Sequence, residues 1–265
     1  MHWYSGNSTY DTVLVFGFVL VVLVLMAGIA KFQSPYGRFG SSKFGLSLSP
    51  RLGWMLMELP ATLSFVYFFT RGERSGELVP LVFLAVWLIH YGNRGFVFPA
   101  LMRVPKGAKP TFSMIVVTSG WLVTSIHGYL NASFITTHGS HYDSSWFGDP
   151  RFIVGICIYY LGFFGILHSE WIQRNLRSKE EVAAGERVYR IPRGGLYRWV
   201  TNAPYLAELV AWTGFAIATW CLGSVFVLAV SAANLIPRAI ATHGWYQKRF
   251  SDYPKERRIL IPFVW

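Results

Sequence analysis

Four short segments carry the side chains that can do chemistry. In WMLMELPAT a single carboxyl, Glu58, stands inside an apolar run two residues before Pro60. LIHYGNRGFVF brings together His90, Tyr91, Asn93 and Arg94; on a helix, spacings of four (His90, Arg94) and three (Tyr91, Arg94) fall on neighbouring faces. LHSEWIQRNLR sets Glu170, Arg174 and Arg177 along a helical stripe, and Glu208 opens a later apolar stretch. An ionisable group in such surroundings costs roughly 2.5–3.5 kcal/mol, so each needs a partner, a cavity or a function. A carboxyl, a phenol and a guanidinium at similar depth can line a polar pocket in which Glu58 orients Tyr91 against a substrate oxygen. The same groups can equally form ion pairs, Glu58 with Arg94 or His90, and Glu170 with Arg174.

A basic segment, RVYRIPRGGLYRWVTNAPYLAE, runs from Arg187 to Glu208. Gly194 and Gly195 let backbone approach a ligand, the arginines can take phosphates, and Tyr189, Tyr197 and Trp199 can stack on flat rings. The same composition also suits a connector lying on a membrane surface. With no GxGxxG and no GxxxxGK, any nucleotide is held without a Rossmann domain or P-loop. His138 and His141 sit in a connecting loop, read as solvated, and without an HExxH pattern no metal is expected. Cys157 and Cys221 lie in apolar stretches, which predicts two buried small residues and no disulfide scaffold.

The elements that must position these groups are membrane helices. Of 265 residues 53% are hydrophobic and 14% charged, against about 25% charged in a soluble domain, and intrinsic disorder is excluded by the same figures. Residues 12–30 form an uncharged run of about the 20 residues that cross a hydrocarbon core. It lacks the basic start and small-residue cleavage site of a signal peptide, so it is expected in the mature protein. Similar windows follow at 53–70, 78–100, 112–134, 151–172, 203–221 and 223–241, the last two separated by the turn-like 221–224. The expected fold is an all-α integral membrane protein of seven transmembrane helices in a single domain over 1–265. Alternate connections collect nearly all of the 24 Lys and Arg; the opposite side holds only Arg71, Arg74 and Arg151, and Arg94 lies within a span. By the positive-inside bias the N terminus is outside and the C terminus cytosolic. The net charge of +11 therefore sits on one face, where it also attracts anionic lipid.

The runs YRIPRGGLYRWVTNAPYLAE and RAIATHGWYQKRFSDYPKERRILIPFVW resemble the steroid 5-alpha-reductase family, most densely from LHSEWIQRNLR onward. SPYGRFG around Tyr36, WMLMELP around Glu58 and HYGNRGFVFP around Tyr91 extend the likeness upstream. The C-terminal pattern is shared with sterol reductases, enoyl reductases and prenylcysteine methyltransferases; the Glu58 and Tyr91 motifs narrow it. The chain looks like a bacterial member, expected as a multi-pass protein of the inner membrane.

The resemblance implies NADPH-dependent reduction of the carbon-4/carbon-5 double bond of a 3-oxo-4-ene steroid. Tyr91 would donate to the ketone oxygen, with Glu58 as second donor or orienter. For the cofactor it implies Tyr36 and Trp54 near the nicotinamide and Arg103 in the second cytosolic loop. Around the rest it implies Glu170, Arg177, Tyr189, Arg190, Glu208, Arg238, His243 and Tyr246, with Arg94 supporting Tyr91. The early helices would form the substrate pocket, and the cytosolic loops with the C-terminal part the NADPH site. The implied partners are a steroid or other lipophilic enone and membrane lipid; a monomer and no nucleic acid are expected. The chain departs from the family pattern at Pro204, where Asn is common and Asn202 would substitute, at Ile166 and at Met57. The fourth span has no arginine, which leaves another enone or enoyl lipid as an alternative substrate. SKEEVAAGERVY reads as a solvated insertion. Two other functions stay open: an isoprenylcysteine-type methyltransferase needing neither Glu58 nor Tyr91, and a non-catalytic lipid-binding or transporter-like protein.

Overall fold

The computed structural model describes residues 5–31, 34–40, 45–105, 107–185 and 188–265. Lys43, Lys106 and Arg187 of the basic connections, and the side chain of Arg38, lie outside the described residues. Helix α1 (Ser8–Ile29) starts where Asn7 caps Tyr10 N, and α2 (Pro50–Thr70) where Ser49 caps Leu52 N with proline at the first position. Helix α3 (Leu78–Gly92) runs through one π-turn, Asn93–Val97, into α4 (Phe98–Leu101). Helix α5 (Met114–Ser133) ends in a second π-turn, Phe134–His138. Then come α6 (Pro150–Arg174), the short α7 (Lys179–Ala183), α8 (Ala203–Thr219) and α9 (Leu222–Arg249).

Every apolar window of the sequence is thus a helix, and among the described residues five are long and apolar enough to cross a membrane: Ser8–Ile29, Pro50–Thr70, Leu78–Leu101, Pro150–Arg174 and Leu222–Arg249. Helix α8 has 17 residues, and α5 carries Thr118, Ser119 and Thr124, whose hydroxyls bond back to carbonyls of their own helix. The outward faces are apolar, with Val15, Val19, Val22 and Met26 exposed on α1 and Ile153, Leu161 and Phe164 on α6, as lipid contact requires. Cys157 belongs to that outward face, correcting the expectation that both cysteines are buried; Cys221 is buried.

Two helix pairs set the frame. Along α6 and α8 the contact is made of small residues, and a Cβ on Gly155, Gly162 or Gly214 would overlap the facing backbone at Ala218, Ala211 or Tyr159. Such close approach replaces the hydrophobic effect as the source of helix affinity in lipid. Between α2 and α5, Gly120 meets Met57 and Gly128 meets Ser64 and Phe65. Pro60 cannot donate to the carbonyl of Leu56, and the indole of Trp121 on α5 takes that carbonyl at 2.7 Å. The proline is therefore a docking point, and Glu58 lies between it and Met57 on a backbone pinned to its neighbour.

Three loop expectations change. The break before α9 falls at Trp220, whose φ of 50° ends α8, with Cys221 as the N-cap residue of α9. His138 and His141 are half-buried rather than solvated: His138 packs edge-on against Tyr10 at 4.8 Å, and His141 packs against Tyr142 and Trp146 and lies 3.3 Å from the carbonyl of Thr219. Burial lowers the pKa of His141, favouring the neutral ring. The segment read as an insertion begins with α7, closed by a capping box of Ser178 and Glu181, with Val182 buried.

Candidate active site

At one end of the bundle, starts of α2 and α8 meet ends of α3, α6 and α9, and the Lys- and Arg-rich connections leave from this end. Here the chain encloses a cavity of about 290 Å³. Tyr36, Trp54, Arg94, Glu170, Asn202, Glu208, Arg238 and Tyr246 from the sequence reading all line it. A two-stranded ladder, β1 (Ser47–Leu48) antiparallel to β2 (Phe112–Ser113), ties the segment before α2 to the start of α5, and Ser113 N donates to Pro35 O at 3.3 Å.

The inner wall is a network of charged and polar groups joined through Arg94. Its Nε donates to Glu58 Oε1 at 2.8 Å and its Nη1 to Glu208 Oε2 at 3.3 Å. Glu208 also accepts from the Trp212 indole at 2.9 Å and faces His90 Nε2 at 3.5 Å, while His90 Nδ1 lies 3.3 Å from the Tyr159 hydroxyl. Glu58, His90, Tyr91 and Glu208 are each no more than 5% exposed. The π-turn is what aims this end of α3: the extra residue in the turn lets Asn93 reach Glu170 on α6 at 3.1 Å while the next residue, Arg94, reaches α2 and α8. Glu170 is thus held by Asn93 on another helix, and no Glu170–Arg174 pair forms.

Tyr91 and Glu58 do not line the cavity; they stand behind Arg94. Tyr91 packs against Trp87 and Trp212, with ring centroids 4.9 and 6.0 Å away, and its hydroxyl lies 3.2 Å from His127 Nδ1 on α5. The bond is to a residue the sequence reading passed over. The cue was present, since a histidine in SIHGYLN inside a predicted span needs a partner as much as Glu58 does. Tyr197, read from the sequence as a stacking ring, also lines the wall, and Gln173 and Thr201 are further wall residues that nothing but the fold brings there.

The outer wall is flat and aromatic, with Tyr36 edge-on to Trp54 at 5.6 Å. Arg238 stacks 3.9 Å from the Tyr36 ring centroid and donates to Tyr205 Oη, Ser34 O and Tyr36 O, so it fixes the Tyr36 loop to α9. Asn202 spends its amide nitrogen on Ala239 O and Ile259 O at 3.1 and 3.0 Å, keeping Oδ1. The buried Tyr197 hydroxyl lacks a well-formed hydrogen bond. Flat faces and an amide oxygen suit a planar, amide-bearing ring.

Arg103, Arg177, Tyr189, Arg190 and His243 lie outside the cavity wall. Arg103 donates to Arg177 O and, at 2.8 Å, to Asn175 Oδ1, and Arg177 returns a bond to Arg103 O at 3.1 Å. Arg190 pairs with Glu181 and holds that carboxyl down to about 2, and it donates to Leu176 O at 2.6 Å. Tyr189 meets Trp245 edge-on at 5.0 Å. His243 Nδ1 lies 2.5 Å from Thr201 Oγ1, which places it directly behind a wall residue.

The profile of the family described as 3-oxo-5-alpha-steroid 4-dehydrogenase matches residues 110–265. The chain is 37% identical to 3-oxo-5-alpha-steroid 4-dehydrogenase 1 of Rattus norvegicus over 92% of its length and 91% of the relative's. For the Homo sapiens protein of that name the identity is 34%, over 88% and 86%. The Steroid 5-alpha-reductase DET2 of Solanum lycopersicum is 28% identical over 99% of this chain and all of its own. The likeness runs through both the early helices that carry Glu58 and Tyr91 and the C-terminal wall of the cavity, and the chain belongs to the steroid 5-alpha-reductase family.

Proposed function

We propose that this protein reduces the carbon-4/carbon-5 double bond of 3-oxo-4-ene steroids, with NADPH as reductant. The observation that carries the reading is the junction at Arg94, which stands three residues after Tyr91, lines a ring-walled cavity and binds the buried Glu58 in a chain of this family. NADPH, when bound, supplies the hydride taken up at carbon 5. The electron pair of the double bond then moves toward the ketone oxygen, and the Tyr91 hydroxyl is the donor this chain offers to that oxygen. A proton at carbon 4 completes the addition of two hydrogens. Glu58 holds Arg94 at the inner end of the cavity, and the tryptophans around Tyr91 exclude water from the phenol.

Tyr36, Trp54, Glu170, Asn202, Glu208, Arg238 and Tyr246 would hold the nicotinamide half of the cofactor. Arg103, Arg177, Tyr189, Arg190 and His243, on the connections outside the wall, would hold the remainder, with backbone and side-chain bonds among them rearranging to admit phosphates. The steroid enters from the lipid side between the early helices. Seven spans, an outside N terminus, a cytosolic C terminus, a monomer in contact with membrane lipid, and a bacterial inner membrane belong to the same proposal.

The test is NADPH oxidation by detergent-purified protein with testosterone or progesterone, the product checked by mass spectrometry. A product heavier by two hydrogens, formed only with NADPH, is expected, and Tyr91→Phe should lower kcat by about 100-fold with NADPH affinity little changed. Tight NADPH binding without steroid turnover would redirect the search to other enones. Binding of S-adenosylmethionine in place of NADPH would overturn the reading in favour of a methyltransferase.

A further inference from the structure

His127 has no role in the reading above, yet it is the one side chain hydrogen-bonded to the Tyr91 hydroxyl among the described residues. It is 6% exposed, and its Nε2 is buried without a partner among those residues. Its position is over-determined. Asn131, one turn on, donates to His127 O at 2.9 Å and to Gly223 O at 3.1 Å, which ties this turn of α5 to the start of α9. Phe226 of α9 stands edge-on to the imidazole at 5.3 Å.

The two neutral forms of the ring have opposite consequences for Tyr91. With the proton on Nε2, Nδ1 accepts from the phenol, so the phenolic hydrogen points at His127 and a buried Nε2–H is left without an acceptor. With the proton on Nδ1, that N–H donates to the phenol oxygen, the phenolic hydrogen turns away, and only a lone pair on Nε2 stays unmatched. Orphaned buried donors are rarer than under-satisfied acceptors. Once a ketone oxygen stands before Tyr91, the second form satisfies every donor and the first leaves two groups unmatched, Nε2–H and the ketone.

Resting on the reductase reading, we infer that His127 is a positioning residue: its Nδ1–H donates to Tyr91 Oη and turns the phenolic hydrogen toward the substrate ketone. A bond donated to that oxygen also stabilises negative charge developing on it as the phenol supports the reduced ketone. The role passes through Tyr91, so it bears on kcat and not on the cofactor.

Asparagine and leucine at 127 decide it. The asparagine Nδ2 occupies the place of the imidazole Nδ1 and still donates, whereas leucine has nearly the same shape and no donor. With saturating NADPH and testosterone, His127→Asn should keep kcat within about threefold, and His127→Leu should lower it roughly 10- to 100-fold, with KM and NADPH affinity little changed. In a Tyr91→Phe background His127→Leu should cost nothing further, because the phenol it acts through is gone. A loss of equal size in both backgrounds, or equal losses for asparagine and leucine, would mean that His127 only fills space. Unaltered turnover in His127→Leu would overturn the role while leaving the reductase reading intact. If the leucine variant fails to bind NADPH, His127→Met supplies the second donor-free side chain and is judged by the same outcomes. Absence of turnover by the unaltered protein would remove the reductase reading and this role together.

Discussion

At the scale of residues, the site is held together by Arg94. Its guanidinium is shared between carboxylates on two other helices, Glu58 on α2 and Glu208 on α8. Both carboxylates are buried, so removing the cation leaves two like charges without their shared partner in the inner wall. Such a loss costs about 3–5 kcal/mol when the pair is fully buried, and somewhat less here because one edge of Arg94 faces the cavity. Arg94→Ala is therefore expected to lower the melting temperature in detergent clearly and to abolish turnover; a variant melting like the unaltered protein would show that the junction is not a structural centre. Arg94→Lys, a point charge without the planar fork, should keep part of the stability and lose the alignment. The spacing in HYGNRGF was enough to put Tyr91 and Arg94 on adjoining faces. The partners of Arg94 lie 36 and 114 residues away, beyond the reach of any local pattern.

At the scale of elements, the α6–α8 seam carries two of the acidic residues of the site, Glu170 and Glu208. Their separation is set by Gly155, Gly162 and Gly214, because two helices meet as closely as their smallest facing side chains allow. Gly162→Val would push away the Ala207–Ala211 stretch of α8, which contains Glu208 itself, and overpacking of this kind costs about 1–3 kcal/mol. We expect a lower melting temperature and a turnover loss larger than that of a matched change on the lipid face, such as Leu161→Val. Equal behaviour of the two would show that the seam tolerates opening. The apolar windows were plain from composition, whereas the π-turn at Asn93–Val97 was not, because one extra residue in a turn leaves hydrophobicity unchanged.

At the scale of the whole molecule, charge and cavity fall at the same end. Arg103, Arg177 and Arg190 of the basic connections are engaged with carbonyls and with Glu181, so these three form a bonded rim. In the proposed orientation the cavity mouth faces the cytosol, from which the proposed NADPH would enter. Reporter fusions test it: green fluorescent protein after Trp265 should fluoresce, and a periplasmically active phosphatase before Met1 should be active. The reverse pattern would invert the bundle and remove the cofactor from reach of the rim.

Apolar runs near 20 residues, basic connections on one side and rare polar groups inside the runs were enough by themselves to determine an α-helical membrane protein and to single out Glu58, Tyr91, Arg94 and Glu208. Those are local properties, since transfer into lipid is summed residue by residue along the chain. Which carboxylate meets which cation, that His127 faces Tyr91, and that Arg190 answers to Glu181 were decided only by tertiary structure. Pairings of this sort depend on the angle and depth at which helices pack, and those follow from glycines, a proline-freed carbonyl and a π-turn whose effects add up across the whole bundle.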